Sequence, residues 1–246
     1  MRQKTTWIVI GDFFFKYRNK IFPVILIGLF VGFKPTDNSF PGLPAGFNTD
    51  WLAIVITASG LACRAIVIGF AYIKRGGLKK QVYAEHLVTT GFFGVCRNPL
   101  YIGNMLIYAG VFLMHGNPYV VVFGTASYYI IYESIIAAEE YFLRGEFGDE
   151  YAAYCRDVPR WLPKFSRFKH ATEGMRFNIR RVIIKDYPTI ANAVIALMGL
   201  ELYEAWYFRT PEQFQQELKT YGVLIVLILI IAALISLAKK RKLLTL

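Results

Sequence analysis

Six long apolar runs, separated by polar and basic segments, set the pattern of the chain. They cover residues 21–33, 51–73, 100–115, 119–138, 188–208 and 221–238. A membrane-spanning helix needs roughly 20 apolar residues, and all runs but the first reach or approach that length. The first run forms either one span together with residues 7–15 or a short span after an interfacial helix. The pattern predicts an all-α, polytopic membrane helical bundle of about six transmembrane helices.

The composition is that of a membrane protein. Hydrophobic residues make up 55% of the 246 residues and aromatic residues 16%, and the mean hydropathy is +0.39. A soluble domain of this size needs more polar surface than such a sequence supplies. The chain is therefore expected to be an integral, multi-pass membrane protein.

The net charge of +11 is spread unevenly along the chain. Lys and Arg concentrate before residue 21 and in segments 74–97, 144–185 and 239–242, whereas the alternate loops contain only Lys34, Arg209 and Lys219. A positive-inside distribution of this kind predicts that both termini are cytoplasmic. It argues against nucleic acid as a partner and favours anionic lipid headgroups at the basic face.

Cysteine and histidine are too few and too scattered to predict a metal centre. Cys63, Cys96 and Cys155 show no C-x-x-C spacing, and the chain has only three His. The sequence therefore predicts structural thiols and no zinc or iron–sulfur site.

One charged residue, Arg64, lies near the middle of the second apolar run. Inserting a central Arg into a bilayer costs about 3 kcal/mol, so its side chain is expected to face protein, water or a polar ligand. Two interpretations stay open from the sequence. Arg64 forms an internal ion pair, with Glu133 as the partner, or it holds an anionic group of a substrate.

Polar groups from two predicted helices meet at one membrane face. Asn98 and Pro99 open the third apolar run, where Asn98 suits the N-cap and Pro99 the first helical position. The next run turns back and brings Glu139 and Glu140 to the level of Arg97. A carboxylate pair opposite a helix N-terminus predicts a ligand site at the cytoplasmic face.

Three aromatic residues lie near the same helix start. Phe92 and Phe93 precede it, and Tyr101 is within it. For a single ring, an interfacial aromatic belt is the plain interpretation. Two rings beside Tyr101 and a carboxylate pair favour a pocket for a cation instead.

Five motifs follow one another through this region in a characteristic order. They are Leu87-Val88-Thr89-Thr90-Gly91, Arg97-Asn98-Pro99-Leu100-Tyr101-Ile102-Gly103, Glu139-Glu140-Tyr141-Phe142-Leu143, Phe147-Gly148-Asp149-Glu150-Tyr151-Ala152-Ala153-Tyr154 and Val158-Pro159-Arg160-Trp161-Leu162-Pro163. In this order and spacing the chain resembles the membrane methyltransferases that include isoprenylcysteine carboxyl methyltransferase and the phospholipid methyltransferases. The resemblance covers roughly residues 64–163, and the N-terminal part and the last two spans lie outside it. We therefore expect an N-terminal interfacial helix and first span at 1–50, a methyltransferase core at 51–165, and a basic connector with two C-terminal transmembrane helices at 166–246.

The resemblance also implies a cytoplasmic-face site for S-adenosylmethionine that is not of the Rossmann type. Its cofactor-binding residues would be Glu85, His86, Leu87, Val88, Phe93, Asn98, Pro99, Leu100, Tyr101 and Glu139. Glu139 would hold the cationic methionyl end of the cofactor. The two residues with catalytic roles would be Glu140, which positions an acceptor or takes its proton, and Arg64, which holds an anionic group of the acceptor.

The chain departs from the family pattern at four positions. Asn98 stands where His is usual, and Phe93 stands where Tyr is common. Glu85 occupies the place of a family His, with His86 next to it. Ile135 aligns with an Arg that isoprenylcysteine enzymes carry shortly before the glutamate pair.

The expected function is transfer of a methyl group from S-adenosylmethionine to a membrane lipid or lipidated acceptor, through a carboxylate, amine or thiol of that acceptor. Two alternatives stay open. One is a membrane oxidoreductase of the sterol-reductase type that uses NADPH. The other is a non-catalytic membrane scaffold that retains the fold.

Overall fold

The computed structural model describes residues 4–36, 49–70 and 82–244, most of which lie in α-helices. The helices are α1 (Thr6–Gly32), α2 (Thr49–Phe70), α3 (Pro99–Met114), α4 (Pro118–Asp157), α5 (Ile179–Phe208) and α6 (Pro211–Lys240). Two short 3₁₀ helices, Gly91–Gly94 and Phe165–His170, lie in the connections before α3 and α5. The described residues contain no strand, which confirms the predicted all-α bundle.

Four of these helices, α2, α4, α5 and α6, are long and apolar enough to cross a membrane. Helix α3 is apolar but has only 16 residues. Helix α1 has 27 residues, but Asp12, Lys16, Arg18 and Lys20 interrupt its apolar sequence. The described residues therefore contain fewer candidate spans than the roughly six that the apolar runs predict.

The N-terminal segment forms one continuous helix, α1, which contains Pro23 and runs antiparallel to α4. Near the start of α1, an added Cβ on Gly11 would come within 1.9 Å of the Ser134 carbonyl oxygen. Near its end, Phe33 stacks on Tyr119 with ring centroids 5.9 Å apart. The two helices are thus in contact at both ends, and residues 6–32 form one helix and not two separate ones.

Aromatic side chains fill the space between α1, α3 and α4. Phe22, Phe112 and Tyr128 are all buried there. The Tyr128 hydroxyl donates to the Phe22 carbonyl oxygen at 2.6 Å. This hydrogen bond satisfies a polar group that would otherwise be buried without a partner, and it fixes α1 against α4.

Helices α2 and α3 approach each other closely because glycine lies at their contacts. An added Cβ on Gly60 would come within 2.6 Å of the Gly103 carbonyl oxygen, and one on Gly103 within 2.5 Å of the Arg64 Cγ. Small residues allow membrane helices to pack at such short distances. Gly103 closes the motif that begins at Arg97, so this motif also sets the position of α3 against Arg64.

Helix α4 continues well past the apolar run that ends at residue 138. It has 40 residues, with one break at Gly148, where φ is 47° and ψ is −118°. Glycine adopts a positive φ at little cost, so the break changes the direction of the helix locally. Beyond it, Tyr151 and Tyr154 pack with Val158 in a small cluster of buried residues.

The C-terminal helices begin earlier than their apolar runs. Helix α5 starts at Ile179 because the Asn178 side chain caps it, accepting a hydrogen bond from the Arg181 N–H at 2.9 Å. Helix α6 starts at Pro211 after a capping box formed by Thr210 and Gln213. Helix α6 packs mainly on α5 and has no buried residue.

The distribution of basic residues predicts on which side of the membrane each connection lies. We expect Gln215→Cys, near the start of α6, to react with a membrane-impermeant maleimide added from outside. Lys169→Cys, in the basic connector, is expected to react only from the cytoplasmic side. The unmodified chain is the control, since its three cysteines are buried or half-buried. Reaction of Lys169→Cys from outside would contradict the predicted topology. Gly42, in the other expected outer loop, lies outside the described residues.

Candidate active site

The segment after α4 folds back over the start of α3. The Arg97 N–H donates to the Pro159 carbonyl oxygen at 2.9 Å. The Asn98 Nδ2 donates to the Arg160 carbonyl oxygen at 3.1 Å. Two of the sequence motifs, which are far apart along the chain, are therefore joined at the N-terminal end of α3.

The helix start at Pro99 is confirmed, but the capping role predicted for Asn98 is wrong. Pro99 is the first residue of α3, and the Asn98 side chain makes no hydrogen bond to the N–H groups of the first turn. Its amide group points to the segment that returns from α4 and donates to Arg160 instead. The side chain thus connects two segments and does not stabilise its own helix.

Glu140 lies at the centre of a cluster of ion pairs. Its Oε1 is 3.1 Å from the Arg97 Nη2 and 3.1 Å from the Arg160 Nε. Its Oε2 is 3.6 Å from the Arg144 Nη2. The predicted meeting of Glu140 and Arg97 is confirmed, and both oxygens of this carboxylate are engaged by guanidinium groups.

Glu133, one turn and a half before Glu139, also has a cationic partner. The Arg160 Nη1 lies 2.8 Å from the Glu133 Oε2. The Trp161 indole N–H donates to the other oxygen, Oε1. The returning segment therefore binds α4 through two glutamates, and Glu133 is not available to the intramembrane Arg64.

Glu139 is the third of these glutamates, and no ion pair joins it to any residue that the structure describes. Its Oε1 accepts a hydrogen bond from the Tyr101 hydroxyl at 2.9 Å. Arg18 of α1 acts on the carboxylate electrostatically without forming an ion pair with it. The side chain is partly buried between α1, α3 and α4. Among these three glutamates, Glu139 is therefore the one whose negative charge is available to a ligand.

The aromatic residues before α3 do not surround Tyr101 as predicted. Phe92 packs against Phe70 and Phe168, with centroid distances of 6.1 Å to each ring. Tyr101 packs instead against Tyr132, at 5.0 Å. A cation pocket made jointly by Phe92 and Tyr101 is therefore wrong, because the two rings belong to different clusters.

The segment that leads to this helix contains the other cofactor-binding residues of the prediction. Glu85 and His86 are exposed, and Leu87 and Val88 are half-buried. Leu87 packs against the cluster that contains Tyr151, Tyr154 and Val158. The Tyr154 hydroxyl donates to the Phe93 carbonyl oxygen at 2.7 Å. The C-terminal part of α4 therefore holds both ends of this lead segment.

Arg64 is buried in the bundle among polar groups of α3 and α5. Its Nε donates to the Asp186 Oδ2 at 3.1 Å, and its Nη2 pairs with the other oxygen of Asp186. Its Nη1 donates to Asn104, and its Nη2 also lies 3.3 Å from the Thr189 Oγ1. An internal ion pair was one of the two interpretations of Arg64, but the predicted partner Glu133 is wrong and the observed partner is Asp186.

A cavity of about 430 Å³ lies between the first half of α1 and residues 138–142 of α4. Its lining residues are Lys4, Asp12, Phe15, Lys16, Val82, Ala138, Tyr141 and Phe142. Ala138 directly precedes Glu139 in α4, so the cavity lies at the level of the unpaired carboxylate.

Ile135 occupies the position at which the resemblance places an Arg in isoprenylcysteine enzymes. Its exposed fraction is 0%, and it belongs to the cluster of buried residues that also contains Tyr132. A guanidinium group has no place in this apolar surrounding without an anion beside it. The substitution therefore changes the chemistry of the site and not only its charge.

The partners of several residues in the site region cannot be predicted from the sequence. Asp186 lies in a basic segment that reads as a connector, and its alignment with Arg64 depends on the early start of α5. Arg160 belongs to a recognised motif, but its pairing with two glutamates of α4 depends on the fold of the returning segment. Among the residues that the structure describes, no three His, Cys, Asp or Glu side chains gather as metal ligands would.

Comparison with known proteins gives a family for the core of the chain. Residues 51–150 match the phospholipid methyltransferase family. This segment contains α2, α3 and most of α4, and with them Tyr101, Glu139 and Glu140. The match to residues 51–150 agrees with the family that the order of the motifs indicates.

Individual relatives are similar over shorter shares of their length. The chain is 32% identical to the cobalt-zinc-cadmium resistance protein CzcN of Cupriavidus metallidurans over 34% of this chain and 38% of that protein. It is 24% identical to the nickel-cobalt-cadmium resistance protein NccN of Alcaligenes xylosoxydans over 59% of this chain and 62% of that protein. It is 30% identical to protein-S-isoprenylcysteine O-methyltransferase A of Arabidopsis thaliana over 50% of this chain and 64% of that protein. Each match thus spans less than two thirds of the relative, and no solved structure matches the chain.

Proposed function

We propose that the protein is an S-adenosylmethionine-dependent methyltransferase that acts at the membrane on a lipid or lipidated acceptor. The observation that carries the proposal is the unpaired carboxylate of Glu139, held by Tyr101 inside the region that matches the methyltransferase family. A partly buried carboxylate without a cation is unfavourable unless a ligand supplies one. The ammonium group of a methionyl moiety is such a cation.

The residues around Glu139 have the chemical character that binding of this cofactor requires. The Tyr101 hydroxyl fixes one oxygen of Glu139 and leaves the other oxygen for a charge-assisted hydrogen bond. The Tyr101 ring, whose hydroxyl binds Glu139, packs against the Tyr132 ring, and aromatic faces attract cations such as a sulfonium. Leu87 of the lead segment packs against the C-terminal part of α4 and offers an apolar contact.

The bound cofactor would supply an electrophilic methyl group. The protein then has to hold the acceptor in line with that group and exclude water, which is chiefly a matter of orientation. Glu139 and Tyr101 would orient the cofactor end. We propose that Glu140 positions the site through Arg97 and Arg160, since guanidinium groups engage both of its oxygens.

Arg64 has an anionic partner within the protein, so its buried charge does not require the predicted contact with the acceptor. We propose that Arg64 mainly supports the bundle through Asp186. Buried Ile135 leaves the site without the Arg that isoprenylcysteine enzymes are expected to use. An acceptor other than a prenylcysteine carboxylate therefore fits this chain better.

The proposal is tested by titrating S-adenosylmethionine into the detergent-solubilised protein and measuring the heat released. We expect saturable binding with one site per chain, because Glu139 is the one of the three glutamates at 133, 139 and 140 that forms no ion pair with the described residues. NADPH, titrated under the same conditions, is expected to give no saturable heat. Binding of NADPH but not of S-adenosylmethionine would favour the oxidoreductase alternative, and binding of neither would favour the scaffold.

A further inference from the structure

The cavity between α1 and α4 has one charged wall and one apolar wall. Lys4, Asp12 and Lys16 of the N-terminal segment form the first, and Ala138, Tyr141 and Phe142 of α4 belong to the second. The Lys4 Nζ lies 2.6 Å from the Asp12 Oδ2, so these two charges offset each other. Lys16 forms no ion pair with any residue that the structure describes, and its Nζ lies 5.2 Å from the centroid of the adjacent Tyr17 ring. The cavity therefore has one positive charge that a ligand can use.

The first half of α1 has the character of a helix at a membrane interface. Trp7, Ile10, Phe13 and Tyr17 are exposed on its outer surface, between its basic residues. Aromatic and basic residues together are typical of the headgroup level of a bilayer. A cavity behind such a helix can be reached by the polar end of a lipid whose chains stay in the bilayer.

The size of the cavity agrees with this kind of ligand. A volume of about 430 Å³ lies within the range of roughly 300–1,000 Å³ found for small-molecule sites. It suits a lipid headgroup and not a whole lipid. Ala138, which lines the cavity, directly precedes Glu139, so a headgroup in the cavity lies at the level along α4 of the carboxylate proposed to orient the cofactor.

We propose that this cavity binds the acceptor through a phosphate or carboxylate group, with Lys16 as the cationic contact. The inference rests on the proposed methyl transfer and adds to it the acceptor class, an anionic lipid. It also assigns acceptor selection to α1, which lies outside the family-matched region 51–150. Arg64 does not compete for this role, because Asp186 already neutralises its charge.

Photo-crosslinking tests where an anionic lipid binds. The probe is a photoactivatable phosphatidic acid at low abundance in phosphatidylcholine nanodiscs that contain the full chain. We expect crosslinks at Tyr141 or Phe142, and at least a fivefold lower yield with Lys16→Gln. Lys20→Gln is the matched control, because Lys20 is an exposed lysine of the same helix that does not line the cavity, and its yield is expected to change by less than about twofold. Equal crosslinking by a photoactivatable diacylglycerol, which has no anionic group, would overturn the proposal.

Methyl incorporation separates an acceptor from a lipid that only occupies the cavity. With labelled S-adenosylmethionine and a total lipid extract, Lys16→Gln is expected to raise the KM for the methylated lipid at least fivefold and to leave the cofactor Kd within about twofold. Lost crosslinking with unchanged methylation would show that the lipid in the cavity is not the methyl acceptor, and it would overturn the proposal. A weaker cofactor Kd would assign Lys16 to the cofactor, with the same consequence. Absence of cofactor binding to the unmodified chain would instead refute the proposed function, and crosslinking would still report the lipid site.

Discussion

Arg64→Leu is expected to lower the free energy of unfolding by about 3–5 kcal/mol, the range for breaking one partner of a buried ion pair. The loss is large because Asp186, with 1% of its side chain exposed, then remains as a buried charge without its guanidinium partner. Asn104 and Thr189 lose their contacts with the same group. Titration with sodium dodecyl sulfate in mixed micelles, followed by circular dichroism, measures the change.

The double variant Arg64→Leu with Asp186→Leu distinguishes a structural role from a functional one. Replacing both members of a buried pair by apolar side chains is often neutral or stabilising, so most of the lost stability is expected to return. The exposed pair of Arg209 and Glu217, 3.5 Å apart, provides the control. Glu217→Gln is expected to change the free energy of unfolding by no more than about 1 kcal/mol.

Activity in the folded double variant then decides what Arg64 does. Methyl transfer near the level of the unmodified chain would exclude a contact between Arg64 and the acceptor. Lost turnover with an unchanged Kd for S-adenosylmethionine would restore the acceptor role expected from the sequence, and would show that Asp186 shares Arg64 with a substrate. Failure of the double variant to regain stability would mean that the polar groups of α3 and α5 need the pair itself.

The sequence predicts the helices of this protein better than their contacts. Apolar runs reveal α2 to α6 because a bilayer imposes a minimum length of apolar residues on each span. They do not reveal where helices begin, since the polar starts of α5 and α6 depend on the caps at Asn178 and Thr210. This error matters for function, because Asp186 lies in the polar start of α5 that the apolar run omits.

The same difference holds for the candidate site: sequence motifs predict which residues belong to it but not which side chains contact each other. The level shared by Arg97 and Glu140 follows from the turn between two apolar runs of similar length, and it is confirmed. The choice of Glu133 as the partner of Arg64 failed because helix spacing alone does not say which helices face α2, and these are α3 and α5. Tertiary packing gives Glu133 to Arg160 instead. Charge pairing between distant segments is therefore the part of the site that the sequence cannot supply.

Glu139→Gln is expected to weaken the binding of S-adenosylmethionine by about 1.5–3 kcal/mol, the scale of a hydrogen bond to a charged group. This corresponds to a roughly ten- to hundredfold higher Kd. Gln has nearly the same shape as Glu, and its side-chain oxygen can still accept the hydrogen bond from the Tyr101 hydroxyl. The variant therefore removes the negative charge while it keeps the local structure.

Calorimetric titration of S-adenosylmethionine into the solubilised variants measures this effect. Glu146→Gln is the matched control, because Glu146 lies on the same helix and is exposed, so its Kd is expected to stay within about twofold. Tyr101→Phe removes the hydroxyl that orients Glu139 and retains the ring, so we expect a smaller loss of affinity than for Glu139→Gln. An unchanged Kd for Glu139→Gln in folded protein would show that the cationic end of the cofactor does not bind this carboxylate. The proposed function would then lose the observation on which it depends.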